Sequence, residues 1–215
     1  LLDENNEAED LRPYIDPNRR VKSANEIQYM KEAASIASSA HEKAMRNSRP
    51  GMGEWEIQSL VEGHFMSSRS QWSFPSIVGG GDNATVLHYK NNNQVINSGD
   101  LVLVDAGCEV SGYASDITRT WPVNGKFSQP QREIYELVLR AELAGIQACQ
   151  PGMPWVSMHE AVCVTIAEGL IELGVLNCTL EDALGRVAGK PGVFEGQIRN
   201  FFMHGTGHFL GLDVH

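Results

Sequence analysis

Leu101-Val102-Leu103-Val104-Asp105-Ala106-Gly107 is a short apolar run that delivers a carboxylate and then breaks at a glycine. Ser98-Gly99-Asp100 leads into it as a tight turn. Four consecutive branched aliphatic residues predict a strand buried on both faces. Gly112 to Trp121 is expected to return as its hairpin partner, carrying Asp116 eleven residues after Asp105. Upstream, Phe74 to Val78 reads as a strand ended by Gly79-Gly80-Gly81, and Val86 to Tyr89 as another, followed by an Asn91-Asn92-Asn93 turn.

Helices frame this β material. Pro13, Pro17 and Arg19-Arg20 suggest an extended approach, and Ser23-Ala24-Asn25-Glu26 has the capping-box pattern. Ile27, Met30, Ala34, Ala37, Ala40 and Ala44 then recur at helical spacing, with a stop before Arg49-Pro50-Gly51. A second amphipathic helix has Trp55, Leu60 and Phe65 as candidate buried positions. Further on, a helix from about Gln131 to Ala148 turns Ile134, Leu137, Val138, Ala141 and Ile146 inward. Another, from roughly Val156 to Leu173, does so with Met158, Val162, Ile166 and Leu170, and Phe201-Phe202-Met203 reads as a strand. Pro50-Gly51-Met52 and Pro151-Gly152-Met153 each separate a long helix from an amphipathic one. That repeated order favours an α+β fold with pseudo-two-fold symmetry over a chance pair of Pro-Gly turns.

The composition narrows the function. With 215 residues, 42% apolar and 20% charged, the chain is ordinary for a globular protein. Seventeen Lys and Arg against 27 Asp and Glu leave a formal charge of −10, which argues against nucleic acid or an anionic membrane as partner. No apolar stretch approaches the roughly 18 residues of a membrane span. The four cysteines, Cys108, Cys149, Cys163 and Cys178, form no CxxC pair, and so read as thiols of a reducing compartment rather than a zinc site. The acidic run from Asp3 to Asp10 looks like the end of a linker.

Chemistry concentrates at few positions. Three of the seven histidines, His204, His208 and His215, fall in the last twelve residues, with Gly205, Thr206 and Gly207 between the first two. Small residues there favour a close backbone approach. Asp105 stands at the end of an apolar strand, and burying a carboxylate costs several kcal/mol unless a cation or strong donors compensate. Asp116 on a facing strand can converge with it, and two carboxylates at close range stay ionised only beside positive charge. A metal supplies that charge; oxygen ligands with imidazole suit Mn, Co or Zn. The structural alternative is that both aspartates are turn or edge residues bonded to backbone amides. His88, on the short Leu87-His88-Tyr89 segment, is a candidate for proton transfer.

Leu87-His88-Tyr89, Val104 to Gly107, Tyr113 to Thr120 and His204 to His215, with the helix start Gln131 to Tyr135, resemble aminopeptidase P. This Xaa-Pro aminopeptidase family belongs to the pita-bread metallopeptidases, and the likeness runs in order from about Ile27 to His215, most of all to the animal mitochondrial form. The resemblance implies a pseudo-two-fold pita-bread fold, an antiparallel-rich curved sheet covered by helices, built around two divalent ions, usually Mn²⁺. It implies that Asp105 chelates one ion, Asp116 bridges both and His208 holds the second. His88, His204 and His215 would line the substrate pocket, stabilise the tetrahedral intermediate and shuttle protons. Peptide substrates would carry proline at the second position, whose missing amide hydrogen defeats peptidases that need that donor. A metal-bridged water, acidified to hydroxide, would attack the scissile carbonyl.

The family's ligand set also includes two glutamates that follow the HGTGH segment, and the sequence ends at His215. The expectation is therefore a fold truncated at the C-terminus: residues 1–22 a linker from a preceding domain, and 23–215 a partial catalytic domain with three of five ligands. Such a chain would be the core of a peptidase, or else a metal-deficient fragment or pseudoenzyme that acts by binding. Methionine aminopeptidase shares the fold and ligands, while the His88-Tyr89 segment and the Tyr113 to Thr120 form favour aminopeptidase P; prolidase is the nearer competitor. The resemblance further implies a homodimer and a mitochondrial, possibly also cytoplasmic, location.

Overall fold

The computed structural model describes residues 10–214. It begins with helix α1 (Arg12–Arg20) in place of the expected extended approach. Pro13 falls in the first turn, where no helical partner for its amide is needed, and the Arg12 backbone N–H donates to Asp10 Oδ1 at 3.0 Å. Helix α2 (Ala24–Asn47) has the predicted capping box. The Ser23 N–H donates to Glu26 Oε2 at 2.6 Å while the Glu26 N–H reaches Ser23 Oγ at 3.4 Å. Ala33, Ala37, Ala40 and Ala44 are wholly buried on one face, whereas Ile27 lies off it and is exposed. With side chains this small, the β layer can come within hydrogen-bonding range of the helix backbone: Cys108 Sγ lies 3.3 Å from the Ala33 carbonyl oxygen.

Helix α3 (Glu54–Ser67) buries Ile57, Val61 and Phe65 at i, i+4 and i+8. Trp55 is exposed, against expectation, because two residues before Ile57 is the opposite side of the helix. Six short strands follow: β1 (Gln71–Trp72), β2 (Ile77–Gly80), β3 (Leu101–Ala106), β4 (Cys108–Val110), β5 (Tyr113–Ala114) and β6 (Ile117–Pro122). They form two antiparallel three-stranded sheets, β2-β3-β6 and β1-β4-β5. The predicted hairpin between β3 and the Gly112 to Trp121 segment is present, with Val104 opposite Arg119 and Asp105 opposite Thr118. The expected two-sided burial of β3 is not. Val102, Val104 and Ala106 are wholly buried, while Leu101, Leu103 and Asp105 on the other face are only half-buried. Strand β2 lies further along than expected and contains Gly79 and Gly80, which pair through their backbones with Leu103 and Val102. Val86 to Tyr89 is not a strand: a 3-10 turn at Gly81–Thr85 runs into a tight turn there.

Residues 127–208 pack as a second compact unit, distinct from 10–126 with 209–214. Helix α4 (Gln129–Ala148) opens with a Ser128–Gln131 capping box and buries Leu137, Ala141 and Gly145. Ile134, Val138 and Ile146, expected inside, are exposed: the inward stripe of this helix is narrow. Helix α5 (Val156–Glu172) buries Val162, Ile166 and Leu170 as predicted, and α6 (Leu180–Leu184) closes against it. Phe201 to Met203 is irregular chain after a 3-10 turn at Gln197–Asn200, not a strand. Both Pro-Gly-Met segments are turns between helices, with Gly51 at φ 91° and Gly152 at φ 85°, where a side chain would be strained. The repeat is thus visible in local structure within each unit. No helix among the described residues is long and apolar enough to cross a membrane.

His41 on α2 is almost wholly buried, with Nδ1 2.9 Å from the Ala37 carbonyl oxygen. Burial pushes its pKa below the ordinary 6.5. The unfolded chain therefore binds a proton that the folded chain refuses, and stability falls as pH drops through 6.5 toward the folded value. His41→Phe is expected to flatten that fall in thermal melts recorded from pH 7.5 to 5; an unchanged slope would assign the acid sensitivity to other groups.

Candidate functional site

In the first unit, Asp105 is the penultimate residue of β3 and Asp116 immediately precedes β6. Both stand at the same end of the β3–β6 ladder, Asp116 two residues from Thr118, the partner of Asp105. Gly107 makes this possible. A Cβ placed there would lie 1.7 Å from the Ser115 carbonyl oxygen, so only glycine lets the two chain segments cross this closely. The crossing is then fastened by hydroxyls. Ser73 Oγ donates to the Ser115 carbonyl at 2.8 Å, its N–H to the Gly107 carbonyl at 2.9 Å, and the Cys108 N–H to Ser115 Oγ at 3.0 Å. Asp105 and Asp116 are half-buried, and Oδ1 of Asp105 is shut off from solvent.

His88 is exposed at the tip of the turn after Thr85, with φ 53°, rather than on the strand expected for it. Its flanks, however, are tied to the core by two buried side chains. Glu54, at the start of α3, is wholly inaccessible. Its Oε1 accepts from the Gly80 N–H and from Asn83 Nδ2, both at 2.9 Å. Its Oε2 accepts from the Tyr89 hydroxyl at 2.9 Å and from the Gln94 N–H at 3.0 Å. Burial, with the adjacent Glu54 carboxylate, pushes the Tyr89 phenol above its ordinary pKa, so it remains a donor. Asn92 does the same work on the far side, accepting from the Val78 N–H and donating to the Ser76 carbonyl and Gln58 Oε1. Neither anchor is legible in the sequence. Glu54 reads there as an ordinary acidic residue of a first helical turn, and Asn92 as a turn residue.

His204 and His208 belong to the second unit and are exposed; His215 lies outside the described residues. The segment leading toward His215 is bound in the first unit. The Ala114 N–H donates to the Gly211 carbonyl at 2.8 Å, and Arg19 pairs with Asp213 at 2.5 Å. In kind, the donors suit hard divalent cations, two carboxylates with imidazole. In number they fall short: among the described residues no three His, Cys, Asp or Glu side chains come together to hold a metal.

The sequence model of Metallopeptidase family M24 matches residues 28–215. The chain belongs to that family. It is 46% identical over 207 residues to the Xaa-Pro aminopeptidase of Haemophilus influenzae, covering 96% of this chain and 46% of that protein. To the Escherichia coli Xaa-Pro aminopeptidase it is 41% identical, with 96% and 45% covered. To mouse Xaa-Pro aminopeptidase 3 it is 35% identical, with 98% and 40% covered. The two bacterial values exceed the mouse value, so the preference for the animal mitochondrial form is corrected, and the likeness holds at the level of Xaa-Pro aminopeptidases. Among solved structures, E. coli aminopeptidase P with the inhibitor Pro-Leu matches at a TM-score of 0.89 and 40% identity, over 96% of this chain and 45% of that one. Pseudomonas aeruginosa aminopeptidase PepP matches at 0.85 and 39%, over 95% and 45%. The α+β architecture is thus that of aminopeptidase P, and the chain spans about half the length of the relatives it matches.

Gly107→Ala is expected to lower stability by about 1–3 kcal/mol, since the methyl group must displace backbone rather than a flexible side chain. Urea unfolding measures this, and a loss below about 0.5 kcal/mol would show that the Ser115 crossing yields freely.

Proposed function

We propose that this chain is part of a metal-dependent Xaa-Pro aminopeptidase, which releases the N-terminal residue of peptides with proline at the second position. The observation that carries this is the paired placement of Asp105 and Asp116 at one end of the β3–β6 ladder, in a chain 46% identical to an Xaa-Pro aminopeptidase. In the whole protein Asp105, Asp116 and His208 would hold a pair of divalent ions, Mn²⁺ in the first instance, within a pseudo-two-fold pita-bread domain. Ions held there would supply Lewis acidity and a nucleophile at neutral pH.

The chain's own histidines do the remaining work. His88, exposed at its turn yet fastened on both flanks, offers an imidazole that can bind substrate and pass a proton. His204 and His215 serve the same pocket, donating to the oxygen that becomes negative as the carbonyl is attacked. A pocket that receives the proline ring in place of a peptide N–H gives the specificity.

The full-length protein with Mn²⁺ is expected to release the first residue from Xaa-Pro-Yaa tripeptides. Equal or better turnover of Xaa-Pro dipeptides would indicate a prolidase instead, and release of methionine ahead of Gly or Ala would end the proposal. Asp116→Ala should abolish turnover while leaving circular dichroism unchanged. For the 215-residue chain by itself, elemental analysis after dialysis is expected to find fewer than two ions per chain, because no three donors converge among the described residues.

A further inference from the structure

The first turn of α5 carries His159, a residue with no place in the proposed chemistry, against the loop that carries His204 and His208. His159 Nδ1 lies 2.7 Å from Thr206 Oγ1, midway between those two histidines in the chain. Its ring centroid is 5.9 Å from those of both Phe194 and Phe202, and Phe202 in turn meets the His204 ring edge-on at 4.6 Å. A third contact comes from the same helical turn: a Cβ on Gly207 would lie 3.0 Å from Met158 Cε and 3.9 Å from Trp155 Cζ2. The opposite ring nitrogen, Nε2, faces Cys163 Sγ at 3.5 Å, one helical turn along α5.

We propose that His159 is a positioning residue that holds the His204–His208 loop through Thr206 and Phe202, an inference that rests on the function proposed above. Burial, and secondarily the charge of His204, push the His159 pKa below its ordinary value, so the ring is neutral at pH 7. Burial pushes the Cys163 thiol up to about 11, so it keeps its proton. A neutral imidazole has one donor and one acceptor. With a hydroxyl on one side and a protonated thiol on the other, both tautomers satisfy both ring nitrogens. His159 can therefore stay between Thr206 and Cys163 without an orphaned polar atom, which makes it a stiff link rather than a passing contact. The loop itself has two glycines, Gly205 and Gly207, and no regular structure, so its own backbone has little to define where its imidazoles point.

Two readouts test this. In the 215-residue chain, Thr206→Val and His159→Phe are expected to move the His204 imidazole proton resonances while leaving the methyl resonances of Leu137 and Leu170, buried in the same unit, unchanged as a control for folding. Thr206→Ser, which keeps the hydroxyl, should restore the His204 signals. In the full-length protein with Mn²⁺ and an Xaa-Pro-Yaa tripeptide, Thr206→Val should lower kcat roughly 10- to 100-fold with KM little changed, as loss of a group that orients site residues does, and Thr206→Ser should recover most of it. Unmoved His204 resonances in Thr206→Val, or a serine variant that behaves like the valine one, would overturn the proposal. If the full-length protein turns over no Xaa-Pro peptide, the functional assignment fails, and the resonances still decide whether His159 holds the loop.

Discussion

A carboxylate with no access to water is the constraint around which the first unit is built. Glu54 is wholly buried, and removing an ionised group from water costs several kcal/mol unless its oxygens are fully occupied. Four donors occupy them: two backbone amides, an amide side chain and a phenol, drawn from chain between Gly80 and Gln94. Leaving any one of these buried donors without Glu54 would itself cost about 1–3 kcal/mol. The energetics run in both directions. The carboxylate is tolerable because the segment folds around it, and the segment, which has no strand of its own between β2 and β3, is tied down by that carboxylate on one side and by Asn92 on the other.

Asp105 and Asp116 are a different kind of acidic residue. They stand at a ladder end on the half-open face of β3, opposite the face that Val102, Val104 and Ala106 pack against the alanine stripe of α2. Around them the chain spends its small and hydroxylated residues, Gly107, Ser73 and Ser115, on holding the two chain segments at a fixed crossing. Strong donors neutralise one carboxylate where a loop must be held. Two other carboxylates are brought to one end of the β3–β6 ladder.

Much of this is legible in sequence, and the parts that are not share a physical origin. The β3–β6 hairpin follows from an apolar run, a glycine and a returning segment, and the α2 capping box from four residues. The Asp105–Asp116 pairing follows from the hairpin. What escapes is burial set by tertiary contact. Ile134, Val138 and Ile146 have inward character by spacing and are exposed, because Leu137, Ala141 and Gly145 carry the contact of α4 with α5. His88 reads as a strand residue because Val86, Leu87 and Tyr89 have β propensity, and a turn results because Asn83 and Tyr89 are pulled inward to Glu54 and Asn92 to Ser76 and Val78. Propensity is a local quantity, and these are bonds across 14 to 35 residues of chain.

The histidine-bearing segments of the two units show one solution to a shared difficulty. A side chain that must meet a substrate has to be exposed, and exposed turns are where a chain is least defined. Here each histidine-bearing segment is short on regular structure and has a polar tie close to its histidine. Tyr89 and Asn92 lie one and four positions from His88, and Thr206 lies two from both His204 and His208. Polar ties suit this better than apolar ones. A hydrogen bond fixes direction as well as distance, whereas an apolar contact tolerates sliding. The features that look least like chemistry in the sequence, an acidic helix start, an asparagine run and a histidine in the first turn of α5, thus supply the ties beside His88 and between His204 and His208.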